Sequence, residues 1–165
     1  MKILVVSDSH SSLYFMRGCI KAVKPDCLIH LGDYYDDGRI LHEENPNTLF
    51  YQVPGNCDCS FGFNLKDETL LITIAGVKFM LTHGHRFRVK SGLDSLISYA
   101  RDNNVNAVMF GHTHIPLCSR EADGIWVLNP GAAGFCGGSA GVIDVQQGKI
   151  SACRIIGQAD FKDFV

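Results

Sequence analysis

The sequence has no excess of basic residues and no apolar run long enough to cross a membrane. Its 15 lysines and arginines are balanced by 17 aspartates and glutamates, for a formal net charge of −2. This balance does not create the basic field that nucleic-acid binding uses, so nucleic acid is not an expected partner. No apolar segment approaches the roughly 20 residues of a membrane-spanning helix, so no membrane partner is expected either.

The cysteines also lack the spacing of a disulfide framework. There are 7, an odd number at irregular positions, which argues against a small disulfide-stapled secreted protein. Cys57 and Cys59 could be small buried residues or a structural zinc pair. The first interpretation is preferred, because there is no second cysteine pair at zinc spacing. The apolar segment at 2–6 is too short for a signal-peptide core. A reducing cytoplasm is therefore the expected location.

What the sequence does have is the composition of a globular protein. Hydrophobic residues make up 46% and charged residues 19% of the 165 residues, which predicts one domain over 1–165 with a sizeable core. Apolar patterns predict strands at 2–7, 27–31, 48–53, 107–110 and 126–128, hairpins at 70–82 and 141–155, and helices at 12–24 and 91–104. Segments 34–47, 60–68 and 131–141 are read as loops, the first with a short helix at most. Because early strands alternate with helices and later strands form hairpins, the predicted fold class is α/β, a sandwich of mixed sheets flanked by helices.

Five polar clusters each follow directly after a predicted strand. They are Asp8-Ser9-His10, Gly32-Asp33, Gly55-Asn56-Cys57-Asp58, His83-Gly84-His85 and Gly111-His112-Thr113-His114. Open α/β sheets place ligand sites at the carboxyl ends of their strands. In an extended segment His112 and His114 would face one pocket, where two adjacent metal ions could each take one of them.

The donor atoms of these clusters suit divalent metal ions. Aspartate and histidine ligands with one asparagine oxygen fit Mn, Fe, Zn, Ni or Co. One ion would not use all five clusters, whereas two ions about 3.5–4 Å apart would. Such a pair needs a bridging carboxylate, and a bridging hydroxide would be its nucleophile. The net positive charge of this site would match a phosphate ester.

In their order along the chain, the five clusters resemble the motif set of the calcineurin-like metallophosphoesterases. The compact size, Cys57 and the segment Asn129-Pro130-Gly131 resemble the small prokaryotic phosphodiesterase branch. This resemblance implies a four-layer fold with two packed sheets and helices outside, and two bound divalent ions, with manganese expected first.

The resemblance also implies a role for each residue at a matching position. Asp8, His10 and His114 would bind the first metal, Asn56, His83 and His112 the second, and Asp33 would bridge both. Asn56, Cys57, Asp58 and His85 are the candidate catalytic residues. Two roles stay open for His85: it could contact the phosphate or a metal ligand, or it could simply be a residue of the loop. Asp36 matches the last residue of the family's Gly-Asp-x-x-Asp pattern, and its neighbour Asp37 is expected to be solvated.

Cys57 stands where many family members have histidine. A thiol with a pKa of about 8.5 is a weaker general acid than imidazolium. This substitution therefore favours phosphodiesters or substrates with activated leaving groups. The resemblance leaves two alternatives: a non-catalytic interaction module like the retromer-type scaffolds, and a phosphomonoesterase or nucleotide hydrolase with the same site. Because all seven ligand positions keep ligand-capable side chains, a metal-dependent phosphodiesterase acting on a small phosphoester is preferred. Homo-oligomerisation stays open, since Tyr34, Tyr35, Phe61 and Phe63 could serve a dimer or a pocket.

Overall fold

The chain alternates strands and helices up to residue 52 and is built mainly from strands afterwards. This computed structural model describes residues 1–61, 65–134 and 137–160, without the side chains of residues 59–61, 65 and 66. The expectations for the side chains of Cys59 and Phe61, and for Phe63, therefore lie outside the described residues. The elements are β1 (Lys2–Val6), α1 (Leu13–Val23), β2 (Cys27–His30), α2 (Tyr35–Glu44), β3 (Leu49–Gln52), β4 (Thr69–Ile74), β5 (Val77–Thr82), α3 (Asp94–Asp102), β6 (Ala107–Met109), β7 (Leu117–Arg120), β8 (Trp126–Asn129), β9 (Ser139–Gln146) and β10 (Lys149–Gly157).

The strands form two mixed sheets of five strands each. The first has the order β10-β9-β1-β2-β3 and the second the order β4-β5-β6-β8-β7. Strands β1, β2 and β3 are parallel, as are β5, β6 and β8. Because parallel strands end at the same edge of a sheet, the polar clusters that follow them are collected at one end of the molecule.

Strand β1 shows why its sequence is apolar without alternation. Ile3 and Val5 pack into the core between the two sheets, whereas Leu4 and Val6 pack into a second core on the other face. Successive side chains of a strand point to opposite faces, so a strand buried on both faces needs apolar residues throughout.

Helices cover the outer faces of both sheets. Met16 of α1 and Leu41 of α2 belong to the core outside the first sheet, and Leu96 of α3 belongs to the core outside the second. The order of layers is therefore helix, sheet, sheet, helix, which confirms the predicted four-layer α/β sandwich. Among the described residues, no helix has the length and apolar composition needed to span a membrane.

The clearest differences from the sequence-based prediction lie in three segments. Residues 35–44 form a helix of 10 residues, longer than the short helix expected there. Residues 65–68 form a 3₁₀ helix inside a predicted loop. Strand β7 was not predicted because its sequence, Leu-Cys-Ser-Arg, is short and partly polar. It forms by antiparallel pairing with β8, a contact that local sequence does not encode.

Candidate metal centre

Four of the predicted metal ligands meet at the ends of the parallel strands. Asp8, His10, Asp33 and His114 each offer one ligand atom, and these atoms all lie within 4.8 Å of one another. The carboxylates of Asp8 and Asp33 are buried, while the side chain of His114 is 35% exposed. This group contains the three residues implied for the first metal together with the implied bridging aspartate.

The loops that carry these ligands have unusual backbone conformations. The angle φ is positive at Asp8, His10, Asp33, His112 and His114, with values of 53°, 44°, 58°, 66° and 61°. Positive φ is uncommon for residues other than glycine and tends to occur at functional sites. The expectation that His112 and His114 lie in an extended segment is therefore wrong.

The two histidines contact different partners. The His114 Nε2 atom lies 3.1 Å from the Asp8 Oδ1 atom, and its ring centroid is 5.5 Å from that of His10. The His112 ring lies 5.0 Å from the ring of His83. Each histidine thus lies beside one of the two implied ligand sets. The loop places them there without the extended conformation that was expected.

The hydrogen bonds of His83 define which of its nitrogens is available. Its Nδ1 atom lies 2.8 Å from the carbonyl oxygen of Leu31, which can only accept, so Nδ1 donates to that carbonyl and Nε2 is the atom directed into the cluster. The Nε2 atom faces three oxygen atoms: Asn56 Oδ1 at 3.1 Å, Asp33 Oδ1 at 3.5 Å and Asp8 Oδ1 at 3.9 Å. Oxygen atoms gathered around one imidazole nitrogen favour a positive charge at this point, which a proton on Nε2 or a bound metal ion supplies. A histidine that donates its second N–H to a backbone carbonyl is also the usual arrangement of a metal ligand.

The carboxylate of Asp8 gives the same result. Its Oδ2 atom accepts hydrogen bonds from Ser7 Oγ at 2.6 Å and from the amide of His112 at 3.1 Å. Its Oδ1 atom is buried and accepts no hydrogen bond of acceptable geometry from the described part of the chain. Because burying a carboxylate oxygen that accepts no hydrogen bond is costly, this atom, which lies 3.1 Å from His114 Nε2, fits a metal ligand well.

The charge states of Asp33 and His112 also suit a metal. Burial alone would raise the pKa of Asp33, but the nearby His83 and the amide of Cys57, 2.9 Å from Oδ1, hold that pKa below its ordinary value. Burial, with a further contribution from His83, lowers the pKa of His112 to about 4. At neutral pH these residues are therefore a carboxylate and a neutral imidazole, the forms that bind metal ions.

Cys57 lies at the exposed side of the centre. Desolvation of its sulfur and the neighbouring Asp33 carboxylate raise the pKa of the thiol to about 11. The thiol is therefore protonated at neutral pH, where it can donate a hydrogen bond but is a poor nucleophile.

Asp58, a predicted catalytic residue, is directed at the backbone. Its side chain is buried, with Oδ1 accepting from the amide of Tyr35 at 2.9 Å and Oδ2 from the amide of Gly55 at 2.8 Å. These bonds join the loop after β3 to the start of α2. They give Asp58 a structural role in placing Asn56 and Cys57.

His85 lies at the edge of the second ligand set. Its ring is 5.5 Å from that of His83 and 6.1 Å from that of His112, and its Nε2 atom is 3.8 Å from Glu68 Oε2. Its Nδ1 atom is buried and has no hydrogen-bond partner in the described residues. Burial and the neighbouring His83 lower its pKa. This position is compatible with a contact to a bound phosphate or to a ligand of the second metal.

Asp36 and Asp37 lie in different environments although they are neighbours in the sequence. Asp36 is exposed and pairs with Arg39 at 3.2 Å. Asp37 is only 7% exposed, and its Oδ2 atom accepts from Ser9 Oγ at 2.7 Å and from the amide of Ser11 at 2.9 Å. The expectation that Asp37 is solvated is therefore wrong, because the orientation of α2 turns this residue toward the loop after β1.

His30 takes part in the same network. The amide of Gly32 donates to its Nδ1 atom at 3.3 Å, so its Nε2 atom carries the proton and faces Ser9 Oγ at 3.3 Å. Complete burial lowers the pKa of His30 to about 4. His30, Ser9 and Asp37 thus form a buried chain of hydrogen bonds beneath the loop that carries Asp8 and His10. Sequence reasoning missed this network, since a histidine inside an apolar strand gave no signal of its partners.

Asn129 holds the loop between the last two histidines. Its buried Nδ2 atom donates to the carbonyl oxygen of Gly111 at 2.9 Å and to Thr113 Oγ1 at 3.0 Å. Its Oδ1 atom accepts from the amide of Gly131 at 2.9 Å. The Asn-Pro-Gly segment therefore supports the loop of His112 and His114 from behind.

Comparison with known proteins finds a family and a fold that this chain matches. Residues 1–148 match the family model of the calcineurin-like phosphoesterase superfamily domain. The phosphodiesterase MJ0936 of Methanocaldococcus jannaschii is 30% identical over 169 aligned positions, which cover 89% of this chain and 95% of that protein.

Two solved structures have the same fold. One, described as a novel archaeal phosphodiesterase, has a TM-score of 0.72 at 26% identity and covers 95% of this chain and 99% of its own. The other is wild-type Vps29 of Entamoeba histolytica complexed with Zn²⁺, with a TM-score of 0.70 at 19% identity, covering 96% of this chain and 99% of its own.

Proposed function

Because the chain belongs to the calcineurin-like phosphoesterase superfamily, we propose that it is a phosphodiesterase that works with two divalent metal ions. The observation that carries this proposal is the convergence of three side-chain oxygen atoms on His83 Nε2. Asn56, Asp33 and Asp8 each direct an oxygen at that nitrogen, at 3.1, 3.5 and 3.9 Å. Nitrogen and oxygen donors gathered in this way suit divalent ions, and divalent ions supply the charge neutralisation and the activated water that hydrolysis of a phosphate ester can use.

In this proposal the ligand sets are those that the family pattern implies. Asp8, His10 and His114 would hold one ion, Asn56, His83 and His112 would hold the other, and Asp33 would be a ligand of both. When bound, the ions supply charge neutralisation for the phosphate and an activated water as nucleophile. Manganese is the first candidate, and Ni, Fe, Zn or Co also fit nitrogen and oxygen ligands.

The chain's own residues favour a diester over a monoester. Cys57 lies beside Asp33 and is the group in the position of the family's histidine. With a pKa of about 11, its thiol donates a hydrogen bond but transfers a proton poorly at neutral pH. Activated leaving groups need little protonation, so they are the substrates that this site would process best.

The alternative of an interaction module rests on the similarity to Vps29, and that similarity is one of fold alone. Against it, Asp8, Asp33 and His83 are buried polar residues at the centre of the cluster. A surface that binds only partner proteins has no need of buried, incompletely satisfied ligand atoms, since they cost folding free energy. We therefore place the enzyme ahead of the scaffold.

The test is hydrolysis of bis-p-nitrophenyl phosphate beside p-nitrophenyl phosphate. The protein is stripped with a chelator and then given Mn, Ni, Co, Fe(II), Zn or Mg in turn, with bound metal counted by elemental analysis. We expect two ions per chain and diester cleavage exceeding monoester cleavage. A folded, metal-loaded protein that cleaves neither ester would contradict the proposal, and monoester preference would favour the phosphomonoesterase alternative.

A further inference from the structure

A cavity of about 360 Å³ lies next to the ligand cluster. Its lining residues are His10, Tyr34, Tyr35, Asp36, Cys57 and Asp58. This volume is within the range of small-molecule sites and is sufficient for an aromatic ring system. Two of the six lining residues are tyrosines, which offer flat apolar surface for such a ring.

The cavity borders the centre. His10 belongs both to the cavity wall and to the group of four ligands whose donor atoms lie within 4.8 Å of one another. Cys57, also in the wall, donates its backbone amide to Asp33 Oδ1 at 2.9 Å. An ester substituent on a phosphate held at the cluster would therefore reach this cavity directly.

Tyr34 is held at the cavity with much of its ring exposed. The ring is 5.0 Å from that of His10 at an interplanar angle of 59°, and the residue is 42% exposed. Its carbonyl accepts from the amide of Asp37, and the carboxylate of Asp37 is bound to Ser9 and Ser11. The backbone of Tyr34 is therefore anchored to the loop of the first metal set. The backbone of Tyr34 has a φ of 68°, in the left-handed region that a bulky residue rarely adopts.

The charges around the cavity restrict what it can accept. Asp36, which pairs with Arg39, and Asp58, which accepts two backbone amides, are the acidic residues of the wall, and the six lining residues include no lysine or arginine. No cation among them would compensate a second phosphate or a carboxylate on the substrate, whereas a neutral ring would gain stacking energy against tyrosine.

We propose that this cavity is a subsite for an aromatic ester group of the substrate, an aryl group or a nucleobase on a single phosphodiester, with Tyr34 as the residue that selects it. The proposal rests on the proposed function for the position of the phosphate. It identifies the substrate class as phosphodiesters with an uncharged aromatic substituent, and it disfavours nucleoside polyphosphates.

Binding of two phosphonates to the manganese-loaded protein tests the subsite without turnover. Phenylphosphonate and methylphosphonate present the same anion to the metals and differ in the ring alone. We expect calorimetry to give a Kd about 10-fold lower for phenylphosphonate, the size of one aromatic stacking contact. Tyr34→Leu is expected to reduce that ratio to about 2-fold or less, and Tyr34→Phe to preserve it.

Tyr99→Leu is the matched control. Tyr99 is also 42% exposed but lies on α3, where its ring contacts Phe87, so the phosphonate ratio should be unchanged. Circular dichroism and metal content verify that each variant is folded and loaded. Equal affinities in the unmodified protein, or a ratio that survives Tyr34→Leu, would overturn the subsite. A protein that shows the ratio but cleaves no diester would instead contradict the proposed function and leave the subsite standing.

Discussion

Asp37→Asn removes a buried charge that sequence reasoning had placed in solvent. The Asp37 Oδ2 atom accepts two hydrogen bonds, from Ser9 Oγ at 2.7 Å and from the Ser11 amide at 2.9 Å. Asparagine preserves the shape, and its single amide oxygen can take the place of Oδ2 and accept both hydrogen bonds, but without the charge. Hydrogen bonds to charged groups contribute roughly 1.5–3 kcal/mol each and neutral ones roughly 0.5–1.5 kcal/mol, so weakening both should cost about 2–3 kcal/mol.

Urea unfolding of the metal-free protein measures this loss. We expect the midpoint to fall while the m-value stays constant, because the surface exposed on unfolding does not change. The control is Asp36→Asn, one residue away on the same helix, where an exposed pair with Arg39 is broken. Such pairs contribute about 0–1 kcal/mol, so its midpoint should hardly move. Equal effects of the two substitutions would refute the assigned network.

Three further predictions concern the centre itself. Asp33→Asn should abolish diester cleavage and lower the bound metal below two ions per chain. The control is Asp123→Asn, which changes an exposed aspartate paired with Arg101 and should leave activity and metal content unchanged. Full activity with two bound metals in the Asp33 variant would rule out a bridging role. Cys57→His should raise the ratio of monoester to diester cleavage by about 10-fold or more, since general acids contribute 10²–10⁴-fold, and an unchanged ratio would count against the leaving-group role. The buried His30 has a folded pKa of about 4, below its ordinary value of 6.5, so the unfolded chain binds protons first as the pH falls. The free energy of unfolding of the metal-free protein should therefore decrease from about pH 6.5 towards 4, and His30→Gln should reduce that slope; a pH-independent unfolding free energy in this window would contradict the burial of a neutral His30.

Local patterns were sufficient for the parts of the fold that repeat simple rules. The apolar run before Asp8 predicts a strand buried on both faces, and Ala75-Gly76 between two apolar arms predicts the hairpin that β4 and β5 form. The four-layer sandwich follows once the motif order indicates the family. Strand β7 could not be predicted, because its four partly polar residues carry no periodic signal and its conformation depends on pairing with β8.

The sequence by itself determined which chemistry was available: aspartate, histidine and asparagine side chains placed directly after strands, in an order shared by one family. Only the tertiary structure decided which atoms face one another. The orientation of helix α2 places Asp37 under the loop after β1 and leaves Asp36 in solvent, although the two residues are adjacent in sequence. Likewise, positive φ angles at His112 and His114 send these histidines to different partners. Such choices depend on contacts between residues distant along the chain, as between Asp8 and His114, and local pattern does not contain them.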